Sequence, residues 1–526
     1  GDGTFTKVTP GDVGTENGAS RGCAWVDYDR DGDLDLFVCI KNSNNRLYRN
    51  TGEPGFEFEK ITTGDIVNDI GNSQGCAWGD YNNDGWPDLF VANLNERDFL
   101  YRNNGDGTFT KIPNAPMVTV IGSSQGGSWG DYDNDGNLDI FVTNSSENNC
   151  LYRNNGEPNY TFTKITSGII VSDEGVSFSS AWGDYDNDGD LDLIVANCDG
   201  ANFLYQNTGP SATAASQKLS KGTNFSNLSS TGYDFRKITT TPAAEDSERS
   251  MSCSWGDYDR NGFLDLMIAN DYYNRNSLYT NQGNGNGWIQ IKCIGVEANR
   301  SAIGTRVELT AVVNGEPLTQ VREISGQTGS KAQNSLVVEF GLGGGVEIID
   351  EIKIIWPSGN SQTLSNITPN QYMTIQEYVS AVEINVRQDT VDIPDNSSYD
   401  YGAVQVGSYK DVVFTIENQG TEDLILDNSL PVEITGAHAA EFSLIQQPGT
   451  VVPAGGNTTF SLRFTPAIEG EKSAGISIAN NDSDENPYNF DLTAAAYLTG
   501  YINVISPAGG DTWTREQTYT ITWEKI

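Results

Sequence analysis

The stretch CAWGDYNNDGWPDLFV at residues 76–91 joins a tryptophan-containing segment to a second apolar segment through an aspartate-rich turn. Each copy of this stretch is followed by an LYRN-like segment, and the first four copies also by a TFTKI-like segment. Four short strands per repeat are typical of one blade of a β-propeller, whereas solenoid repeats are usually shorter. We therefore predict an all-β fold with five propeller blades. The other four copies are CAWVDYDRDGDLDLFV (23–38), GSWGDYDNDGNLDIFV (127–142), SAWGDYDNDGDLDLIV (180–195) and CSWGDYDRNGFLDLMI (253–268).

Composition restricts the partners of the chain. A net charge of -40 and an isoelectric point near 4.1 argue against nucleic acid and anionic membranes, since both bind basic surfaces. No apolar run reaches the length of a transmembrane helix, so this segment is not expected to insert into a membrane. With 526 residues, 37% of them hydrophobic, the chain is long enough for several domains with their own cores.

The aspartate-rich turns carry more negative charge than an ordinary surface turn. Positions 1, 3, 5 and 9 of each turn offer side-chain oxygens and position 7 a backbone carbonyl, which suits the six to eight oxygen ligands of Ca²⁺. Eighteen of the twenty side-chain positions are Asp, and their mutual repulsion is costly without a cation. The alternative is a set of polar turns, in which Asp, Asn and Gly are common. We predict about five structural calcium ions, with ligands Asp27, Asp29, Asp31, Asp33 and Asp35 in loop 1; Asp80, Asn82, Asp84, Trp86 and Asp88 in loop 2; Asp131, Asp133, Asp135, Asn137 and Asp139 in loop 3; Asp184, Asp186, Asp188, Asp190 and Asp192 in loop 4; and Asp257, Asp259, Asn261, Phe263 and Asp265 in loop 5.

Two other interpretations of these motifs fail on the sequence. An EF-hand needs a Glu at position 12 of its loop, and the first loop has Val38 there. Three GxSxG stretches (18–22, 71–75 and 122–126) resemble the serine motif of hydrolases, but the single histidine, His438, lies far away in the sequence. We therefore predict no enzyme activity and no catalytic residues. A histidine-free lyase or glycosidase acting through carboxylate pairs is the alternative, although no pair stands out.

The repeats, over residues 1–287, resemble the FG-GAP/VCBS repeats of integrin α-subunit propellers and of bacterial surface proteins. The resemblance implies a secreted or cell-surface protein whose aspartate loops share one face of the propeller. It also implies that ligands dock on the opposite face. The loops expected there are 41–46, 93–99 and 270–276, with Tyr272 and Tyr273 as aromatic candidates.

Three further segments follow the repeats. Residues 288–378 resemble the ASPIC/UnbV module, through NRSAIGTRVELT, REISGQTGSKAQNS and IKIIWPSG; that family includes matrix proteins of the cartilage acidic protein type. Residues 381–497 resemble an Ig-like β-sandwich of the choice-of-anchor or abnormal-spindle type. Residues 499–526 resemble the opening strands of another, truncated Ig-like domain.

These features favour a non-catalytic adhesion or structural protein located outside the cell or on its surface. Its calcium-stabilised propeller presents binding loops to a protein or glycan ligand of the surface or matrix. A lectin-like propeller with sugar pockets is the alternative in the binding class, and a polysaccharide lyase or hydrolase is the alternative in the enzyme class. Self-assembly into filaments is a further interpretation.

The ends of the repeat array raise the question of ring closure. The segment GDGTFTKVTP (1–10) matches the last strand of a blade, and the fifth repeat lacks such a strand. Because unpaired strand edges are avoided, residues 4–8 are expected to pair with residues 276–280 and close a five-bladed ring. A ring of six or seven blades, or pairing of the vacant edge with residues 288–294, are the alternatives.

Two smaller predictions concern the repeats. Cys23, Cys76 and Cys253 stand two residues before a tryptophan, and we expect them to be small buried side chains rather than disulfide partners. The polar insertion at 211–230 accounts for the longer spacing before the fifth copy and is expected to be a surface loop.

Overall fold

A computed structural model describes residues 13, 17–52, 55–210, 233–271, 274–378, 382–426, 431–482, 485–498, 502–506 and 518–525. The chain forms two compact units, Gly1–Tyr378 and Val379–Ile526, and the described part of both is built mainly from β-strands. The short helices are α1 (Asp65–Asn68), α2 (Pro116–Thr119) and α3 (Pro242–Glu245), with 3₁₀ turns at Ile169–Val171 and Ala439–Glu441.

The first unit opens with five antiparallel meanders, which we call repeats 1 to 5. Neighbouring strands of a repeat pair in sequence order, and the first strands of successive repeats pack against one another. The strands are β1 Ser20–Val26, β2 Asp35–Asn44, β3 Arg46–Asn50 and β4 Phe58–Lys60 in repeat 1; β5 Ile70–Gly79, β6 Asp88–Arg97, β7 Phe99–Asn103 and β8 Phe109–Lys111 in repeat 2; β9 Ile121–Gly130, β10 Asp139–Asn144, β11 Cys150–Asn154 and β12 Phe162–Lys164 in repeat 3; β13 Ser177–Gly183, β14 Asp192–Asn197, β15 Phe203–Pro210 and β16 Tyr233–Ile238 in repeat 4; and β17 Ser250–Gly256, β18 Asp265–Asn270 and β19 Ser277–Tyr279 in repeat 5.

The recurring tryptophan ties each repeat to the one before it. Trp182 Nε1 donates a hydrogen bond to the Ser128 carbonyl (3.1 Å), and Trp255 Nε1 to the Ala181 carbonyl (3.0 Å). Trp25, in repeat 1, is 42% exposed. The tryptophan is therefore an interface residue between successive repeats as well as a core residue.

Three details differ from the sequence predictions. Segments 41–46 and 93–99, predicted as loops, contain the ends of strands β2 and β6, which pair onward with the first strand of the next repeat. This pairing satisfies backbone groups that a loop would leave to water. Cys76 and Cys253 are buried as predicted, but the prediction for Cys23 is wrong, because this side chain is exposed.

The fifth repeat has three strands among the described residues, as the sequence predicts. The strand expected to complete it, at 4–8, lies outside the described residues, as do the insertion 211–230 and Tyr272 and Tyr273. The alternative partner, 288–294, is wrong, because that segment pairs within a different sheet.

That sheet belongs to the rest of the first unit, residues 287–378, which we call the module. A three-stranded sheet in the order β23-β20-β26 and a four-stranded sheet in the order β22-β21-β24-β25 enclose an apolar core around Trp356. Strands β20 and β26 run parallel and the other pairs antiparallel. The strands are β20 Gly287–Ile294, β21 Arg306–Val313, β22 Glu316–Glu323, β23 Val337–Gly343, β24 Ile349–Ile355, β25 Ser361–Ile367 and β26 Gln371–Gln376.

The second unit contains a five-stranded sheet (β28-β27-β30-β35-β33) and a four-stranded sheet (β29-β37-β36-β32) that share one core. Buried aromatic side chains, among them Phe414, Phe460 and Phe490, fill that core. Two strand pairs, β31 with β34 and β38 with β39, stand apart from the main sheets. The strands are β27 Ile384–Gln388, β28 Val391–Asp392, β29 Ser397–Gln405, β30 Lys410–Asn418, β31 Leu424–Ile425, β32 Val432–Thr435, β33 Phe442–Gln446, β34 Val451–Val452, β35 Asn457–Phe464, β36 Gly470–Ile478, β37 Tyr488–Tyr497, β38 Ile502–Ser506 and β39 Thr522–Lys525.

Candidate metal centres

Each aspartate loop connects the first strand of a repeat to the second, so that position 9 opens the second strand. In four of the five loops, one carboxylate oxygen from each of positions 1, 3 and 9 lies within 4.8 Å of the other two. In loop 2, position 3 is Asn82, so a cluster of three carboxylates at these positions is ruled out by the sequence. The four clusters are Asp27, Asp29 and Asp35; Asp131, Asp133 and Asp139; Asp184, Asp186 and Asp192; and Asp257, Asp259 and Asp265.

Positions 5 and 7 were also predicted as ligands, and this part stays a prediction, because the clusters concern carboxylate oxygens and position 7 would contribute its backbone carbonyl. The position-5 oxygen accepts a hydrogen bond from the position-7 amide, as Asp84 does from Trp86 (3.0 Å) and Asn261 from Phe263 (2.9 Å). These residues shape the turn around the cluster. The other residues at positions 5 and 7 are Asp31 and Asp33, Asp135 and Asn137, and Asp188 and Asp190.

A recurring asparagine that the sequence analysis did not single out fixes position 9. The Asn207 amide donates to Asp192 Oδ1 (2.7 Å), and Asn207 Nδ2 donates to the Tyr132 carbonyl of the preceding repeat (2.9 Å). The backbone amide thereby holds the carboxylate, and the side chain links two repeats. The sequence feature that could have revealed this asparagine is the LYRN-like segment. Its asparagines are Asn50, Asn103, Asn154, Asn207 and Asn281.

The donor set fits a hard divalent cation. Asp27 is only 3% exposed, yet its Oδ1 has no hydrogen-bond partner, and the same holds for Oδ1 of the neighbouring Asp29. A buried carboxylate oxygen without a partner costs free energy, whereas Ca²⁺ is bound by oxygens of this kind. Carboxylates are a poor set for soft metals, which prefer Cys and Met. The residues present therefore fit calcium.

The pKa values of the loop aspartates also favour a bound cation. Burial, together with the charge of neighbouring aspartates, raises the pKa of Asp27 to about 7 and that of Asp35 to about 8. Burial likewise raises the pKa of Asp184 to about 7. The fully buried Asp131 and Asp139 are shifted in the same direction, well above the usual value. A bound cation reverses this preference, because it stabilises the charged form of every carboxylate around it.

The module contacts all five aspartate loops. Asn299 Nδ2 donates to Asp27 Oδ2 of loop 1 (3.4 Å), and Gln290 Nε2 to Asp257 Oδ2 of loop 5 (2.7 Å). Arg306 reaches loops 2 and 3 by donating to Asn83 Oδ1 and to the Gly136 carbonyl (both 2.8 Å). The Gly341 amide donates to Asp184 Oδ2 of loop 4 (3.1 Å). The candidate metal sites therefore lie between the repeats and the module.

One stretch of the module, residues 325–335, contacts the first strand of every repeat, and we call it the central segment. Its Gln327 side-chain amide lies within 3.0–3.2 Å of the carbonyl oxygens of Cys23 and Cys76, in repeats 1 and 2. Gly329 forms a β-bridge with Gly127 in repeat 3. Further hydrogen bonds reach repeats 4 and 5: Ser330 N to Ser179 Oγ (3.1 Å), Asn334 Nδ2 to the Trp182 carbonyl (3.1 Å) and Ser335 N to the Trp255 carbonyl (3.0 Å).

The GxSxG serines have structural partners. Ser73 Oγ donates to Asn93 Oδ1 (2.8 Å) and Ser124 Oγ to Asp98 Oδ2 (2.9 Å), both within their own part of the repeat array. His438 belongs to the second unit, where its Nδ1 accepts a hydrogen bond from the Ser473 amide (3.0 Å). The Ser73 contact lies within repeat 2, and the Ser124 contact joins repeat 3 to repeat 2.

The five successive meanders, each with an aspartate loop after its first strand, define an all-β repeat protein with candidate metal sites at equivalent positions. The FG-GAP-like repeat model matches residues 1–38, 37–91, 80–142, 131–195 and 184–268, half of the chain in total. The chain belongs to the FG-GAP-like repeat family. The ASPIC and UnbV model matches residues 295–382, so the module carries this second family's domain.

Curated relatives share both parts. The chain is 26% identical over 306 residues to cartilage acidic protein 1 of Xenopus tropicalis, covering 57% of this chain and 44% of the relative. It is 21% identical over 317 residues to cartilage acidic protein 1 of Homo sapiens, covering 57% of this chain and 43% of the relative. The chain therefore spans less than half the length of these relatives.

Among solved structures, the ASH / PapD-like domain of human CEP192 aligns with 23% of this chain and 88% of its own length, at 18% identity. Its TM-score of 0.17 is too low to carry an argument. In the part of the chain that the structure describes, no helix is long and apolar enough to cross a membrane.

Proposed function

We propose that the chain is the calcium-stabilised scaffold of a non-catalytic adhesion or structural protein that acts outside the cell or on its surface. The observation that carries the proposal is the recurrence of a three-carboxylate cluster at the same place in four repeats. Each cluster holds three carboxylates close together, which repel one another without a cation, and Ca²⁺ takes oxygen ligands of this kind. Similarity to cartilage acidic protein 1 supports an extracellular role.

The proposed architecture follows the sequence boundaries. Residues 1–287 form a β-propeller, 288–378 the ASPIC/UnbV module, 381–497 an Ig-like β-sandwich, and 499–526 the start of a further Ig-like domain. The sequential packing of the first strands supports the propeller. The two sheets around one core in the second unit support the sandwich.

The proposed partner is a protein ligand of the cell surface or matrix. The module already occupies the face that carries the aspartate loops, through Asn299, Gln290 and Arg306. The opposite face, with residues 41–46 and 93–99, is therefore the surface proposed for partners. Asn95, Glu96 and Arg97 are exposed there.

Binding of the chain to an array of matrix proteins and to a glycan array, probed in parallel, tests this function. We expect calcium-dependent retention on matrix protein, weakened by Arg97→Glu, because that change reverses a charge at the proposed surface. Glu351→Gln, an exposed substitution on the module, is the matched control and should bind as the unchanged chain does. Retention on glycans alone would favour a lectin, and turnover of a polysaccharide would overturn the non-catalytic assignment.

A further inference from the structure

The five aspartate loops do not carry the same charge. Loops 1, 3 and 4 have aspartate at all four side-chain positions, whereas loop 2 has Asn82 and loop 5 has Asn261 in place of one of them. A site with fewer carboxylates holds Ca²⁺ less tightly, since ligand charge tunes calcium affinity. Loops 2 and 5 are thus the weaker sites when the repeats are considered alone.

The module places a glutamate against each of these two loops. Glu323, at the end of β22, accepts a hydrogen bond from the Asp80 amide at position 1 of loop 2 (3.2 Å). Glu339, in β23, is the cross-strand partner of Gln290, whose Nε2 donates to Asp257 Oδ2 at position 1 of loop 5 (2.7 Å). The two glutamates thus lie beside position 1 of loops 2 and 5, although they come from different strands of the module.

The loops with four aspartates receive no glutamate from these strands. Loop 1 meets the neutral Asn299. Arg322, next to Glu323 in the sequence, lies close enough to loops 3 and 4 to attract Asp131 and Asp184. The module therefore brings a glutamate to each of the two loops that lack one aspartate, and these strands bring none to the other three. Loop 2 also meets Arg306, and loop 5 also meets the neutral Gln290.

Loop 2 also retains an oxygen suited to a cation. Asp88, at position 9, is fully buried, and its Oδ2 has no hydrogen-bond partner. Its Oδ1 accepts from the Asn103 amide (2.8 Å), so the carboxylate is held in place. This buried oxygen points to a ligand independently of the glutamate.

We propose that the module is a calcium-dependent cap in which Glu323 and Glu339 complete the charge of loops 2 and 5. The inference rests on the proposed calcium binding. Without a cation, each glutamate repels the aspartates beside it; with Ca²⁺ in the loop, the same glutamate is attracted. Calcium binding and seating of the module then strengthen each other by the same factor, as linkage requires.

Terbium luminescence gives a separate readout for each of the two sites. Tb³⁺ replaces Ca²⁺ in oxygen-ligand sites and emits when a nearby tryptophan is excited. Trp86 occupies position 7 of loop 2, and the Trp288 indole lies against Gly262 of loop 5. The emission lost in Trp86→Phe therefore reports on loop 2, and the emission lost in Trp288→Phe reports on loop 5.

We expect Glu323→Gln to weaken Tb³⁺ and Ca²⁺ binding at the Trp86-reported site by about tenfold or more, because it removes one charge next to the ion. Glu339→Gln should do the same at the Trp288-reported site. Each variant should leave the other site unchanged, as should the control Glu351→Gln at both. Hydrogen exchange of the central segment, 325–335, should slow when calcium is added to the unchanged chain, and less so in the Glu323→Gln, Glu339→Gln double variant.

The outcomes separate the two proposals. If the unchanged chain binds no calcium by titration calorimetry, the proposed function fails and this inference with it. If the chain binds calcium, but both glutamine variants keep the affinity of the unchanged chain and the same exchange in 325–335, only the cap is overturned. Selective loss at the matching site, with slower exchange in calcium, supports it.

Discussion

Removal of calcium with excess EGTA should lower the melting temperature of the first unit by roughly 3–9 °C. Extracellular sites bind Ca²⁺ at about 10⁻⁴–10⁻³ M, so at about 1 mM calcium each contributes roughly 0.4–1.4 kcal/mol of stability. Five such sites contribute about 2–7 kcal/mol, which is comparable with the whole stability of many domains. Differential scanning calorimetry of the full chain measures the shift.

Re-addition of calcium is the control for this melt, and it should restore the original transition. Magnesium should restore less, because it is smaller and requires near-ideal octahedral geometry. A melting transition that EGTA leaves unchanged would show that the loops keep their structure without a bound ion.

The second large effect is expected at Gly329, where the central segment meets the repeats. This residue has a φ of 60°, and a β-carbon on it would overlap the carbonyl oxygen of Ser180 and crowd Ser179 Oγ. Gly329→Ala should therefore destabilise the first unit by about 2–4 kcal/mol, since neither the backbone conformation nor the surrounding backbone can adapt cheaply. Chemical denaturation followed by tryptophan fluorescence measures this loss.

Gly344→Ala is the matched control, because a β-carbon there meets no atom within 4 Å. It should change the free energy of unfolding by less than about 0.5 kcal/mol. Equal stability of the two variants would mean that the central segment does not pack against the repeats as the structure shows.

The repeated part of the fold could be predicted because its determinants are local. Each copy carries a tryptophan strand, a turn with Asp and Gly at fixed positions, and an apolar strand, and these residues decide their conformation within sixteen positions. The cluster of positions 1, 3 and 9 follows from the same local geometry. One copy of this motif is weak evidence for the fold, but five copies make the prediction specific.

The position of the module could not be predicted, because its contacts join residues far apart in sequence. Nothing near Glu323 indicates that it meets Asp80, and nothing near Gln327 indicates that it meets Cys23 and Cys76. The segment REISGQTGSKAQNS, which contains both module residues, was recognised only as a family motif. Long-range packing of this kind depends on the shapes of two finished surfaces, which a local pattern does not encode.

The exposure of Cys23 and Trp25 was missed for a related reason. The sequence places both residues in the same motif as their buried counterparts Cys76 and Trp78. Burial of these positions depends on the surfaces packed against them, which the motif does not encode.

The number of calcium ions bound per chain tests the central claim most directly. Titration calorimetry combined with elemental analysis of the purified chain should give about five ions, with affinities in the range of extracellular sites. Asp184→Ala should remove one of them, because that side chain belongs to a three-carboxylate cluster. A chain that holds no calcium at about 1 mM, or an Asp184→Ala variant that binds as many ions as the unchanged chain, would contradict the account.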